Sequence, residues 1–134
     1  MFVVDASMTL AWCFEDETTD TTQTVLRRLF GEGGLAPGHW PVEVVSGLLS
    51  AERRDRLAHG RLASARTVLG TLPVDIVAVD LDAAFVTLET ARTLGISAYD
   101  AAYLELARSR SLGLATLDLR LATACRTVGV PLIA

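Results

Sequence analysis

The chain contains no lysine. All twelve of its basic residues are arginine, set against sixteen acidic ones, and the formal net charge is −4. A chain with that balance does not attract nucleic acid through its overall charge, so any contact with a polyanion has to be local. Arginine's planar fork suits phosphate, although a coding bias towards Arg and Ala is the simpler account of the excess. Gly31-Glu32-Gly33-Gly34 is not a phosphate loop, because it lacks the lysine and the G-K-[ST] ending. Histidine and cysteine are scarce. His39 and His59 stand apart from Cys13 and Cys125, no C-x-x-C pair exists, and a structural zinc site is not supported. Ser7 has no partner base in the pattern of a serine triad. Two isolated thiols suit a reducing compartment. No apolar run is long enough to span a bilayer, and Met-Phe-Val-Val-Asp has no basic leader character. A cytoplasmic protein with no membrane contact is the expectation.

What the chain does have is apolar residues, 51% of 134. That length reads as a single domain over 1–134 with a substantial core. Short apolar runs alternate with longer helical segments. The pattern predicts strands at about 2–5, 35–37, 75–79, 113–116 and 131–133, and helices near 7–13, 18–30, 42–57, 61–70, 82–94, 98–110 and 119–127. Pro41 fits a first helical turn; beyond it Val45, Leu48, Leu49 and Leu57 are expected to face the core. Tyr99, Ala102, Tyr103 and Leu106 form an i, i+3, i+4, i+7 stripe. Parallel strands joined by right-handed helical crossovers follow from this order. The expected fold is a three-layer α/β/α sandwich around a mostly parallel five-stranded sheet, with the fully apolar Phe2–Val4 strand at its centre.

Four acids stand where strands are expected to hand over to helices: Asp5, Glu43, Asp100 and Asp118. In a parallel sheet all strand exits share one edge, so these side chains would converge in one crevice. Clustered anions repel and raise one another's pKa. A hard divalent cation with oxygen ligands would neutralise them. Each acid also has a simpler explanation, since helix N-termini favour acidic caps, and Ser97-x-x-Asp100 resembles a capping box. Spacing alone does not single out these four. Asp80 and Asp82 also follow a strand and open a helix. Glu15, Asp16, Glu17 and Asp20 read as a solvated acidic run. Glu105 and His39 lie within reach of the crevice on spacing alone.

The four segments together resemble the PIN domain, and more narrowly the ribonuclease toxins of VapC-type toxin–antitoxin pairs. Val3-Val4-Asp5-Ala6-Ser7, Trp40-Pro41-Val42-Glu43-Val44, Ser97-Ala98-Tyr99-Asp100-Ala101-Ala102-Tyr103 and Ala115-Thr116-Leu117-Asp118-Leu119-Arg120-Leu121 match the family's motifs in order. Gly129-Val130-Pro131-Leu132-Ile133 matches its last strand. The resemblance implies an endoribonuclease in which Asp5, Glu43, Asp100 and Asp118 surround Mg²⁺ or Mn²⁺ and an activated water hydrolyses RNA. It implies that Ser7 and Thr116 assist at water or substrate phosphate, and that Asp80 and Asp82 fall after an edge strand, away from the site. It also implies a cognate small antitoxin and a homodimer. Leu117, directly before Asp118, makes the fourth motif leaner than usual at the position of a second metal. Two other classes share the outline. Phosphoacceptor and aspartate-nucleophile phosphatase domains carry acids at strand ends, but both use a lysine that is missing here. A non-catalytic PIN-fold interaction module would be favoured by loss of an acid, and all four are present.

Overall fold

The computed structural model describes residues 1–58 and 60–134; His59 lies outside the described residues. The chain runs β1 (Phe2–Val4), α1 (Ala6–Ala11), a single 3₁₀ turn (Glu15–Glu17), α2 (Asp20–Glu32), β2 (Gly34–Pro37), α3 (Trp40–Arg53), α4 (Arg61–Thr71), β3 (Val74–Val77), α5 (Leu81–Leu94), α6 (Ala98–Arg110), β4 (Leu114–Ala115) and α7 (Leu119–Val128). The strands form one sheet in the order β3-β2-β1-β4, with every pairing parallel.

The alternation of β1 explains the layers. Successive side chains of a strand point to opposite faces. Phe2 and Val4 pack with Met8, Val25 and Leu29 of α1 and α2 on one face. Val3 belongs to the larger cluster that includes Val44, Tyr103 and Leu104 of α3 and α6 on the other. A strand apolar at every position is therefore sandwiched, which is why Phe2, Val3 and Val4 are wholly buried. Local chemistry sets the helix ends. Thr19 and Thr22 form a reciprocal capping box at the start of α2. Gly95, at φ +67°, stops α5 in a left-handed conformation that other residues adopt only at a cost.

Among the described residues the sheet has four strands rather than five. The segment expected at 131–133 is reduced to one parallel bridge, Leu114 to Leu132, held by Leu114 N–H donating to Pro131 O and Ile133 N–H donating to Leu114 O. Pro131 carries no N–H to extend a ladder, and β4 offers only two residues to pair with. The core face of α3 also differs from expectation. It buries Trp40, Val44, Leu48 and Ala51, while Val45 and Leu49 remain exposed. They line an apolar groove of about 710 Å³ with Leu62 and Leu69 of α4. The i, i+4 spacing of Trp40, Val44 and Leu48 selects the buried stripe, and Val45 and Leu49 sit one position round the helix. Tyr99 likewise falls outside its stripe, since it is exposed while Ala102, Tyr103 and Leu106 are buried. Among the described residues no helix is long and apolar enough to cross a membrane.

Candidate active site

The three adjacent strands β2, β1 and β4 deliver the site from their C-terminal ends. Asp5 follows β1 directly and caps α1, its Oδ1 accepting from Met8 N–H at 2.9 Å. Ser7, in the first turn of α1, donates to both Asp5 oxygens at 2.8 and 2.9 Å. Thr116, one residue past β4, donates to Asp5 Oδ2 in a short hydrogen bond. Backbone N–H groups secure the two hydroxyls in turn. Leu117 N–H donates to Ser7 Oγ at 2.9 Å, and Asp118 N–H donates to Thr116 Oγ1 at 3.0 Å. The exits of β1 and β4 are thus stitched together through one carboxylate.

Asp5 is only 4% exposed. Burial pushes its pKa up from 3.8 to about 6, against the three hydrogen bonds that favour the anion, and the charge of Glu43 adds to the rise. Glu43 lies in the first turn of α3, behind Pro41. Its Oε1 accepts from the Tyr103 hydroxyl at 2.7 Å. His39 Nε2 lies 3.4 Å from the same oxygen without the alignment of a hydrogen bond, so that contact is an ion pair only when the imidazole is protonated. Burial raises Glu43, but Tyr103 and His39 outweigh it and hold the carboxyl below its ordinary value. Burial, then the charges of Asp118 and Glu43, push Asp100 up. Tyr103 is pushed up by burial and by its bond to Glu43, and stays a neutral donor.

Asp100 reaches this place by a different route from the one expected. It follows a helix-to-helix connection, not a strand. Ser97 caps α6 by accepting from Asp100 N–H at 3.0 Å, and α6 packs against β1 and β2. Asp118, also assigned to a helix start, caps α7 through Leu121 N–H at 2.9 Å. Asp5, Glu43, Asp100 and Asp118 are therefore brought close enough for each to act electrostatically on, or be acted on by, another of the four. Asp80 and Asp82 are not with them. Asp80 caps α5 at the exit of the edge strand β3, accepting from Ala83 N–H at 2.8 Å, and Asp82 sits in that helix's first turn. Glu105 is engaged elsewhere, accepting from Thr90 at 2.6 Å and Arg108 at 3.0 Å.

The donor set suits a hard divalent cation in charge and chemistry. It offers oxygen donors only, mutually repelling, and among the described residues no arginine pairs with any of the four acids. The side chains do not, however, close on one point. Among the described residues no three His, Cys, Asp or Glu side chains are arranged to hold an ion between them; Asp5, Glu43 and Asp118 each turn an oxygen to a protein donor.

Tyr103 is a site residue that the spacing of the acids does not single out. The signal was present, because Tyr103 stands three residues after Asp100 and so shares its helix face. The stripe it belongs to reads equally well as core, and its ring is indeed wholly buried. His39, within reach of the crevice on spacing alone, precedes α3 and packs its ring against Tyr99 and Tyr103, with centroids 5.2 and 5.0 Å away.

Solved structures with this fold include PAE2754 from Pyrobaculum aerophilum, at a TM-score of 0.73 and 22% identity, over 98% of this chain and 90% of that one. They also include VapC20 of Mycobacterium tuberculosis, a toxin that cleaves the sarcin-ricin loop, at 0.60 and 17%, over 92% and 95%. No curated protein matches by sequence. A PIN domain profile matches residues 2–126, nearly the whole length. The chain belongs to the PIN domain family, whose members are generally nucleases.

Proposed function

We propose that this protein is an Mg²⁺- or Mn²⁺-dependent endoribonuclease and the toxin of a type II toxin–antitoxin pair. One observation carries the reading. A carboxylate at the exit of a central strand is buried, fixed on both oxygens, raised to about 6 and grouped with three further acids. A structural cap does not need such company, and a cluster of this kind is a recognised functional-site signature.

Asp5, Asp100 and Asp118 would hold the ion, with Glu43 beside them. When bound, the cation supplies Lewis acidity, lowering the pKa of water and offsetting charge on the phosphoryl oxygens. The protein's own groups do the positioning. Ser7 and Thr116 direct both hydroxyl protons at Asp5 and so fix its plane. Tyr103 keeps its proton and orients Glu43. RNA would enter single-stranded or looped, since splayed strands fit a narrow crevice.

The toxin role rests on the motif resemblance and on the VapC likeness of the fold. A cognate small antitoxin and a homodimer belong to it. The apolar groove between α3 and α4 is the surface we assign to the antitoxin. A second reading, a non-catalytic interaction module, is favoured by one observation: three of the four acids, Asp5, Glu43 and Asp118, accept from protein donors, and among the described residues the four do not close on one point. Incubation of purified protein with assorted RNAs and Mn²⁺ separates the two. The nuclease reading expects cleavage that EDTA and Asp100→Asn both abolish; the module reading expects none. Co-expression with the product of the neighbouring reading frame, followed by size-exclusion chromatography and a growth assay, tests the toxin role. Harmless expression of a monomer that co-purifies with nothing would end that role.

A further inference from the structure

The acid crevice does not end at the acids. A second cavity, of about 410 Å³, begins at Ser7 and Asp118 and runs over the seam of α1 and α3, past Glu17, to Arg54 and Arg56 at the far end of α3. We propose that this groove is the track of the RNA strand flanking the scissile phosphate, and that Arg54 and Arg56 position it by gripping backbone phosphates. The proposal rests on the nuclease reading above and deepens it.

Helical spacing builds the track. Gly47, Ser50 and Arg54 line it at i, i+3 and i+7, on the face of α3 that begins one turn earlier at Glu43. At 1.5 Å per residue, Glu43 and Arg54 lie about 16 Å apart along the axis, a few nucleotides of strand. Gly47 lets α1 come close: a Cβ there would run into the Leu10 side chain. The helix ends at Arg53, and Asp55 turns the chain in a left-handed conformation, φ 55°. Aspartate tolerates that region better than most residues. The turn brings Arg56 to the same groove mouth as Arg54.

Arg56 is held ready. Its guanidinium stands 5.3 Å over the Phe14 ring, a cation–π contact that limits its freedom. Its only ion pair among the described residues is with Asp16, at 3.4 Å and largely exposed. A contact of that kind is worth little, so a phosphate can take its place at small cost. A fork of N–H donors matches phosphate geometry, and contacts of this type set register without reading sequence. Continuity with the acid crevice favours RNA over a protein carboxylate, because the same groove starts at the candidate catalytic residues.

The test uses Asp100→Asn protein, so that RNA stays intact, and a mixed-sequence single-stranded RNA labelled with fluorescein. Anisotropy gives the Kd across a salt series. The double variant Arg54→Ala/Arg56→Ala is expected to bind more weakly and to lower the log–log salt slope by about 1.4, at about 0.7 for each phosphate contact to single-stranded RNA. Arg54→Lys/Arg56→Lys keeps the charges and should keep the slope, whereas a structural role would not distinguish charge from shape in this way. Arg27→Ala, on α2, serves as control and should match the parent. An unchanged slope in the alanine pair, with RNA still bound, overturns the proposal and leaves the two arginines to a protein partner; the nuclease reading survives. If the parent binds no RNA and wild type cleaves none with Mn²⁺, both fall together.

Discussion

Two strand exits of this molecule carry the same local motif and have different fates. Asp5 follows β1 and caps α1 through Met8 N–H at 2.9 Å; Asp80 stands three residues beyond β3 and caps α5 through Ala83 N–H at 2.8 Å. Each satisfies one orphan donor at a helix start. Yet Asp5 is buried among Ser7, Thr116 and three further acids, and Asp80 is exposed. The difference is position in the sheet. β1 has neighbours on both sides, whose exits supply Glu43 and Thr116–Asp118, while β3 is the edge. A capping aspartate becomes a candidate catalytic group when the strands beside it bring partners, and remains a cap when they do not.

The largest test of that contrast is activity. Asp5→Asn and Asp100→Asn should each lower Mn²⁺-dependent RNA cleavage by about a hundredfold or more, the scale of losing one preorganised electrostatic group. Asp80→Asn and Asp82→Asn should cleave at the wild-type rate. Initial rates on one labelled RNA decide it, and equal losses at both exits would break the comparison.

Stability should move in opposite directions at the two exits. Asp5 is raised from 3.8 to about 6, and at 1.36 kcal/mol per unit its charge costs the folded metal-free protein roughly 3 kcal/mol at neutral pH. Asp5→Asn should recover part of that in urea denaturation at pH 8. Asp80→Ala loses a cap and should cost about 1 kcal/mol.

The pH dependence sharpens the same point. Between pH 3.8 and about 6 the folded protein holds a proton on Asp5 that the unfolded chain has released. Rising pH through that window therefore removes stability. Asp100, also raised, acts in the same direction, and Glu43, lowered, acts against it. Metal-free wild type should lose stability from pH 4 to 6. Asp5→Asn should show a flatter profile, and saturating Mg²⁺ should relieve the loss in wild type. A flat wild-type profile would remove the electrostatic half of the comparison.

The smallest expected effect is at Tyr103. Removing its hydroxyl frees Glu43 from a 2.7 Å hydrogen bond. Tyr103→Phe should cost about 1 kcal/mol of stability and slow cleavage only several-fold, as measured by kcat at saturating RNA.

Much of this arrangement was legible from residues, and the gaps have physical causes. The apolar run Phe2–Val4 announced a central strand, and the spacing of the helices was readable because their buried stripes repeat at 3.6 residues. The fifth strand was not separable from a single bridge, because an apolar Pro-Leu-Ile run looks the same either way. Val45 and Leu49 look like core in the sequence because periodicity reports an apolar face but not how wide the covering layer is. Asp5 and Asp80 could not be told apart by spacing, since strand order is a long-range property; the family motifs made the distinction. Tyr103 was hidden by its double character, a buried ring with a polar tip that reaches Glu43.

The central claim is that the β1 exit, not the β3 exit, is a divalent-cation centre. Crystals soaked in Mn²⁺ and measured at the manganese absorption edge test it directly. An anomalous peak liganded by Asp5 and at least one of Asp100 and Asp118 is expected. A saturating soak with no peak in that crevice, or with its strongest peak at Asp80 and Asp82, would contradict it.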